Sequence, residues 1–233
     1  MSKCSKLIGS VVAGIVLVAG VSFADVVSDR KSAYSLYRNK DYVEAQAAFE
    51  KVITDYPAAK IDHLFHSQLC VGHCLKNQGK YVEAQAAYEK VFEDYPTASV
   101  ESFAYAQLYV GDSLRKLKKY VEAQAAYEKI LKDYPTASVN VLAIAQDYVG
   151  YSLRRQGKQV EATEAYTKAV ILYARVPNVA SKTLVVVFSR INPALMTTAD
   201  YTVALQDIIK ATSAIEANAE FLGRVKSELE KMK

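Results

Sequence analysis

Every histidine of the chain and two of its three cysteines fall between residues 63 and 74: His63, His66, Cys70, His73 and Cys74. Imidazole and thiolate are the ligands that Zn or Cu(I) prefers. At about 100° per residue the five share one arc of a helix roughly 100° wide. His66, Cys70, His73 and Cys74 are the candidate ligands, and the reading they support is a metal- or redox-responsive binding protein using the His63 to Cys74 face. Against it, one helix face directs at most three ligands where structural zinc wants four. A Cys70–Cys74 bridge spans a feasible Cα separation of about 6 Å but is strained by helical Cβ directions. No metal or cofactor is assigned on these grounds.

Other chemistry has less to stand on. The sequence holds no Gly-rich phosphate loop, no nucleophile elbow and no His-Glu-x-x-His, and its clustered histidines give no dispersed acid–base set. The expectation is a protein that is not an enzyme. Its charge is +4 from 29 basic and 25 acidic side chains, too nearly neutral for a dedicated nucleic-acid binder. With 51% hydrophobic residues, nine Gly and five Pro, the composition fits a helical globular unit.

The elements that must position these residues are written as a repeat. Tyr42 to Lys51 (Tyr-Val-Glu-Ala-Gln-Ala-Ala-Phe-Glu-Lys) recurs as Tyr81 to Lys90 and Tyr120 to Lys129, with Tyr88 and Tyr127 for Phe49, and more weakly from Gln159. Each copy follows the last by 39 residues, as do Asp55-Tyr56-Pro57, Asp94-Tyr95-Pro96 and Asp133-Tyr134-Pro135, and Gly72, Gly111 and Gly150. The rhythm of Val121, Gln124, Tyr127-Glu128 and Leu131, flanked by Ala123, Ala126 and Ile130, predicts a helix over Tyr120 to Asp133, stopped before Pro135. Upstream, Ser99 to Lys118 predicts a longer helix ending in a short turn where neighbouring copies place Gly79 and Gly157. Each unit is thus a hairpin of helix A and helix B. In this register Cys74 replaces Ser113 and Ser152, and Cys70 replaces Tyr109 and Tyr148, so small residues at helix contacts also account for the cysteines.

Gly111-x-x-Leu114, Ala123-x-x-x-Tyr127 and Pro135 resemble the tetratricopeptide repeat pattern, in which small residues let helices approach and Pro ends the unit. The set recurs as Gly72, Leu75, Ala84, Tyr88, Pro96, as Gly150, Leu153, Ala162, Tyr166, and first as Ala33, Leu36, Ala45, Phe49, Pro57. Two features depart from the family: Trp is absent, and the period is 39 where the norm is 34. The longer variant with its Asp-Tyr-Pro-x-x-Ser junction is similar to exported envelope proteins of the Tol–Pal and outer-membrane assembly type. The resemblance implies an all-α solenoid of four clear repeats over 25–177. A degenerate fifth and a capping helix follow over 178–233, the latter carrying Ile215, Leu222, Val225, Leu229 and Met232.

It also implies a concave groove lined by the A helices that holds a peptide or partner protein without catalysis. The family's groove positions fall on Tyr34, Tyr37 and Arg38, on His73, Lys76 and Asn77, on Asp112, Arg115 and Lys116, and on Tyr151, Arg154 and Arg155. Such a ladder of cations and tyrosines suits acidic or carboxylate-ended peptides. The same basic residues near helix C-termini also complement the helix dipole. The Lys and Asn set of the family's two-carboxylate clamp is not matched.

The N-terminal residues read as a targeting element. Lys3 and Lys6 precede an apolar run from Leu7 to Phe23, and Ser22-Phe23-Ala24 presents the small residues that signal peptidase reads, so 1–24 is a signal peptide cleaved after Ala24. The mature chain then carries +2 and keeps only Cys70 and Cys74. An uncleaved N-terminal anchor is the alternative, since the run approaches the roughly 17 residues that span a bilayer. Cys4 precedes the run, so lipidation is not indicated. Periplasmic or secreted placement follows, with no membrane span after cleavage.

Overall fold

A computed structural model describes residues 23–177, 179–212 and 219–232. Eight α-helices form four consecutive hairpins: α1 (Phe23–Arg38) with α2 (Tyr42–Asp55), α3 (Ile61–Asn77) with α4 (Tyr81–Asp94), α5 (Val100–Lys116) with α6 (Tyr120–Asp133), and α7 (Val139–Arg155) with α8 (Gln159–Tyr173). Then follow α9 (Ser181–Phe188), a 3₁₀ turn at Pro193–Leu195, α10 (Thr198–Thr212) and α11 (Ala219–Glu230). Among the described residues there is no strand, and the chain is an all-α helical repeat solenoid.

The repeat sequence explains the hairpin. Tyr56, Tyr95 and Tyr134 leave helical geometry just before Pro57, Pro96 and Pro135, which disfavour a helical predecessor. Their carbonyls then accept from Ala59, Ala98 and Ala137 in a tight turn. Ser99 and Ser138 cap α5 and α7 through Ser102 N and Val141 N. At the other end of each unit the A–B turn needs one left-handed residue, supplied by Gly79 and Gly157 but also by Lys40 and Lys118, at φ 70° and 62°.

Packing within a unit rests on a ring set against a glycine. A Cβ on Gly72, Gly111 or Gly150 would come within 2.4–2.8 Å of the Tyr88, Tyr127 or Tyr166 ring, all fully buried. The first unit uses Ala33 and Phe49 instead, both 0% exposed. Ala45, Ala84, Ala123 and Ala162 close the same seam. The expected helix-B stripe needs correction: Val121 is 63% exposed, and so are Val43 at 62% and Val82 at 61%. The buried face is Ala123, Ala126, Tyr127 and Ile130, and at about 100° per residue Val121 points to the opposite side of the helix.

After α8 the register changes. Leu184, Val187 and Phe188 of α9 are buried, as are Tyr201 and Ala204 of α10. Phe221 and Val225 are the fully buried residues of α11, and Phe221 meets Phe188 edge-on at 5.7 Å. Of the residues expected to cover this end, Val225 is buried, Leu222 is only half-buried, and Ile215 lies outside the described residues, as do residues 1–22 of the N-terminal run.

Candidate functional site

Helices α1, α3, α5 and α7 form one layer whose side chains bridge directly from unit to unit. Cys70 Sγ donates to Tyr34 Oη at 3.3 Å and Asn77 Nδ2 to Tyr37 Oη at 2.9 Å, tying α3 to α1. Lys76 Nζ lies 3.3 Å from Asp112 Oδ2, tying α3 to α5. Arg115 pairs with the other Asp112 oxygen and stacks between Tyr148 and Tyr151 of α7, 5.2 and 5.5 Å from their ring centres. Arg190 pairs with buried Asp147 and continues the bridging beyond α7.

The twelve expected groove positions therefore separate into two kinds. Tyr34, Tyr37, Lys76, Asp112 and Arg115 are half-buried and bonded within the layer, as is exposed Asn77 through Tyr37; half-buried His73 bonds Tyr88 of α4 and half-buried Tyr151 carries Arg115 and Arg154, so Lys76 and Arg115 are not free rungs of a cationic ladder. Burial alone would raise the Asp112 carboxyl, yet the Arg115 hydrogen bond and the Lys76 charge hold it below the usual carboxylate range. Arg38, Lys116, Arg154 and Arg155 are exposed, and among the described residues none forms an ion pair with a carboxylate. Arg154 rests 5.7 Å over Tyr151, Arg155 lies 5.0 Å over Tyr120, and the two rings meet edge-on at 6.4 Å.

The histidine and cysteine arc resolves differently from a coordination shell. His73 Nδ1 is 2.6 Å from Tyr88 Oη and its ring meets Tyr109 edge-on at 4.4 Å. Burial and nearby Lys76 drop its pKa to about 4, so the imidazole is neutral at physiological pH. His63 pairs with Arg30 and His66 stays exposed. Cys74 is fully buried, its thiol pushed up to about 12 by burial, and Cys70 is also raised; such thiols are poor nucleophiles and poor redox centres. Among the described residues no three His, Cys, Asp or Glu side chains gather to hold a metal ion. Of His66, Cys70, His73 and Cys74, the candidates for a metal- or redox-responsive site, Cys70 bonds Tyr34, His73 bonds Tyr88 and Cys74 is fully buried. Ser113 and Ser152, the counterparts of Cys74, are likewise fully buried, as small residues at a helix contact should be.

The arc instead borders an open pocket of about 510 Å³ between α1, α3 and α5, lined chiefly by Tyr34, Leu69, Cys70, His73, Tyr105 and Tyr109. Tyr105 and Tyr109 were not among the expected groove residues. The register that aligns Tyr109 with Cys70 and Tyr148 could have singled it out, because a residue that alternates between large aromatic and small thiol shapes a cavity.

Profiles of the tetratricopeptide repeat match residues 30–59 and 74–138, so these stretches carry such repeats. Among solved structures the chain is similar to MamA from Desulfovibrio magneticus RS-1, at 16% identity and TM-score 0.51 over 89% of this chain and 94% of that one. It is also similar to a Podosopora anserina protein named for a kinesin light chain and built of nearly identical TPR-like repeats, at 15% identity and TM-score 0.53 over 89% and 94%. These likenesses establish the fold alone. No curated protein matches the sequence.

Proposed function

We propose that this chain is a non-catalytic scaffold of the bacterial cell envelope that holds a peptide or partner protein against its A-helix layer. Tetratricopeptide repeats generally mediate protein–protein interaction, and one observation on this chain supports the A layer as the binding face. The B helices of the first three units are near-copies, so a ligand on that layer meets the same surface at each step and has no unique register. The A layer differs at every step, from Tyr34 to His73 to Asp112 to Tyr151, and exposes Arg38, Arg154 and Arg155, which form no ion pair with a carboxylate among the described residues. Specific recognition needs such an aperiodic surface. Envelope placement rests on Lys3, Lys6 and the run from Leu7 to Phe23; among the described residues no helix is long and apolar enough to cross a membrane.

The test is affinity capture from envelope extract with the chain beginning at Asp25, in three forms: native, Arg38→Glu/Arg154→Glu on the A layer, and Val82→Glu/Val121→Glu on the B layer. A partner retained by the native and B-layer forms but lost by the A-layer form supports the reading. Loss with the B-layer form alone overturns it. N-terminal sequencing of the cell-associated protein should begin at Asp25, and a membrane-bound species beginning at Met1 would reject export with cleavage.

A further inference from the structure

We propose that the A layer is a two-point socket for an extended acidic segment: the pocket between α1, α3 and α5 takes one bulky apolar side chain, and the Arg154–Arg155 end of α7 takes carboxylates about four to six residues away. This rests on the A-layer reading above and adds the chemistry and spacing of the ligand.

The first point is chiefly apolar: several of its polar groups are already bonded, and exposed His66 and the Tyr105 and Tyr109 hydroxyls add polar edges. Tyr34 Oη receives Cys70, His73 Nδ1 is bonded to Tyr88 Oη, and the Glu101 carboxylate accepts both Ser138 N and Ser138 Oγ at 2.7 Å, fastening α5 to the start of α7. The Tyr34 phenol, raised to about 12, and the neutral His73 add no charge to the lining. What remains toward the opening is ring and aliphatic surface from Leu69, Tyr105 and Tyr109, and a space of about 510 Å³ that accommodates one large side chain.

The second point is cationic and preorganised. Arg115 is neutralised by Asp112, but Arg154 and Arg155 sit over Tyr151 and Tyr120 with no ion pair among the described residues, and exposed Lys116 ends the neighbouring A helix. A guanidinium stacked on a ring is held in place while its N–H edges stay open, the geometry that receives a carboxylate fork. Less side-chain freedom is then lost on binding.

Spacing follows from helix geometry. Neighbouring helices pack at roughly 8–10 Å, and α7 lies about one and a half such steps from the part of the pocket between α3 and α5, where Leu69, Tyr105 and Tyr109 stand. Arg154 is also six residues further along its helix than Tyr148, the counterpart of Tyr109, which adds about 9 Å. The diagonal is roughly 15–18 Å, and an extended chain covers about 3.3–3.6 Å per residue.

The probes are fluorescein-labelled Ser/Gly peptides carrying one Phe and a Glu-Glu pair, separated by one or five residues, with Phe→Ser and Glu→Gln controls. Fluorescence anisotropy with the Asp25–Lys233 chain should show the five-residue spacer binding at least fivefold more tightly than the one-residue spacer, and each control at least tenfold more weakly. Tyr105→Ala should abolish the Phe dependence and keep the Glu dependence. Arg154→Gln/Arg155→Gln should do the reverse, with circular dichroism confirming helicity in both. Undetectable binding, indifference to spacing, or equal binding of a single-stranded oligonucleotide would overturn the socket. The scaffold reading is scored separately, by the captured partner and the layer that holds it, and survives such a failure.

Discussion

Asp112 Oδ2 lies 3.3 Å from Lys76 Nζ of the preceding unit, while its other carboxylate oxygen is taken by Arg115 of its own helix. One acid thus neutralises the middle of a face that is basic at its far end, and it fastens α3 to α5. Asp112→Asn should lower stability by about 1–2 kcal/mol, since two half-buried cations lose their counter-charge. It should also tighten binding of acidic peptides, because Lys76 and Arg115 are released. Thermal melts and peptide anisotropy read the two effects, and a variant that melts like the native protein would show the bridge to be incidental.

The buried tyrosines differ in what their hydroxyls meet. Tyr88 Oη is bonded to His73, whereas Tyr166 Oη is buried without a hydrogen-bond partner among the described residues, Tyr151 standing where His73 would be. Tyr88→Phe should therefore cost about 0.5–1.5 kcal/mol, while Tyr166→Phe should be neutral or stabilising. Phe49 already occupies this position in the first unit. Equal losses from both substitutions in chemical denaturation would contradict the assignment.

His73 makes stability pH-dependent. Its folded pKa is about 4 against an ordinary 6.5, so the unfolded chain takes up a proton as pH falls below 6.5 while the native site resists until about 4. Stability is fully present above pH 6.5 and is lost across that window as pH falls, by at most about 3 kcal/mol. His63 and His66, also lowered by burial and by Arg30, add in the same direction. His73→Gln should flatten the profile between pH 6.5 and 4; an unchanged slope would place the titration elsewhere.

Lys118 holds a left-handed conformation that Gly157 occupies freely one unit later. Lys118→Gly should raise stability by up to about 1 kcal/mol despite the added freedom of the unfolded chain, because the Cβ clash is removed. A fall in melting temperature would show that unfolded-state entropy dominates at this turn.

Much of this fold was legible because it is repetitive. Pro57, Pro96 and Pro135, the glycines opposite Tyr88, Tyr127 and Tyr166, and the extent of helix B all follow from a 39-residue register in which each residue type has one steric role. The site was only half legible. Family positions pointed to the A layer, yet Lys76 and Arg115 look like free cations in sequence, and only the stacking of units shows Asp112 between them. The surroundings of the His63 to Cys74 arc were illegible for the same reason: helical periodicity says which residues share a face, and says nothing of Tyr34 and Tyr88, which arrive from other helices and bond Cys70 and His73. Phe221 was missed because the C-terminal segment lacks the register that made the earlier units readable.

The most direct test of the account is a hydrogen-exchange footprint of the captured partner bound to the Asp25–Lys233 chain. Binding on the A layer predicts slowed exchange in the segments around Tyr34–Arg38, His73–Asn77, Tyr105–Lys116 and Tyr151–Arg155, with the exposed turns at Val43, Val82 and Val121 unchanged. Protection confined to the three valine turns, repeated from unit to unit, would contradict it.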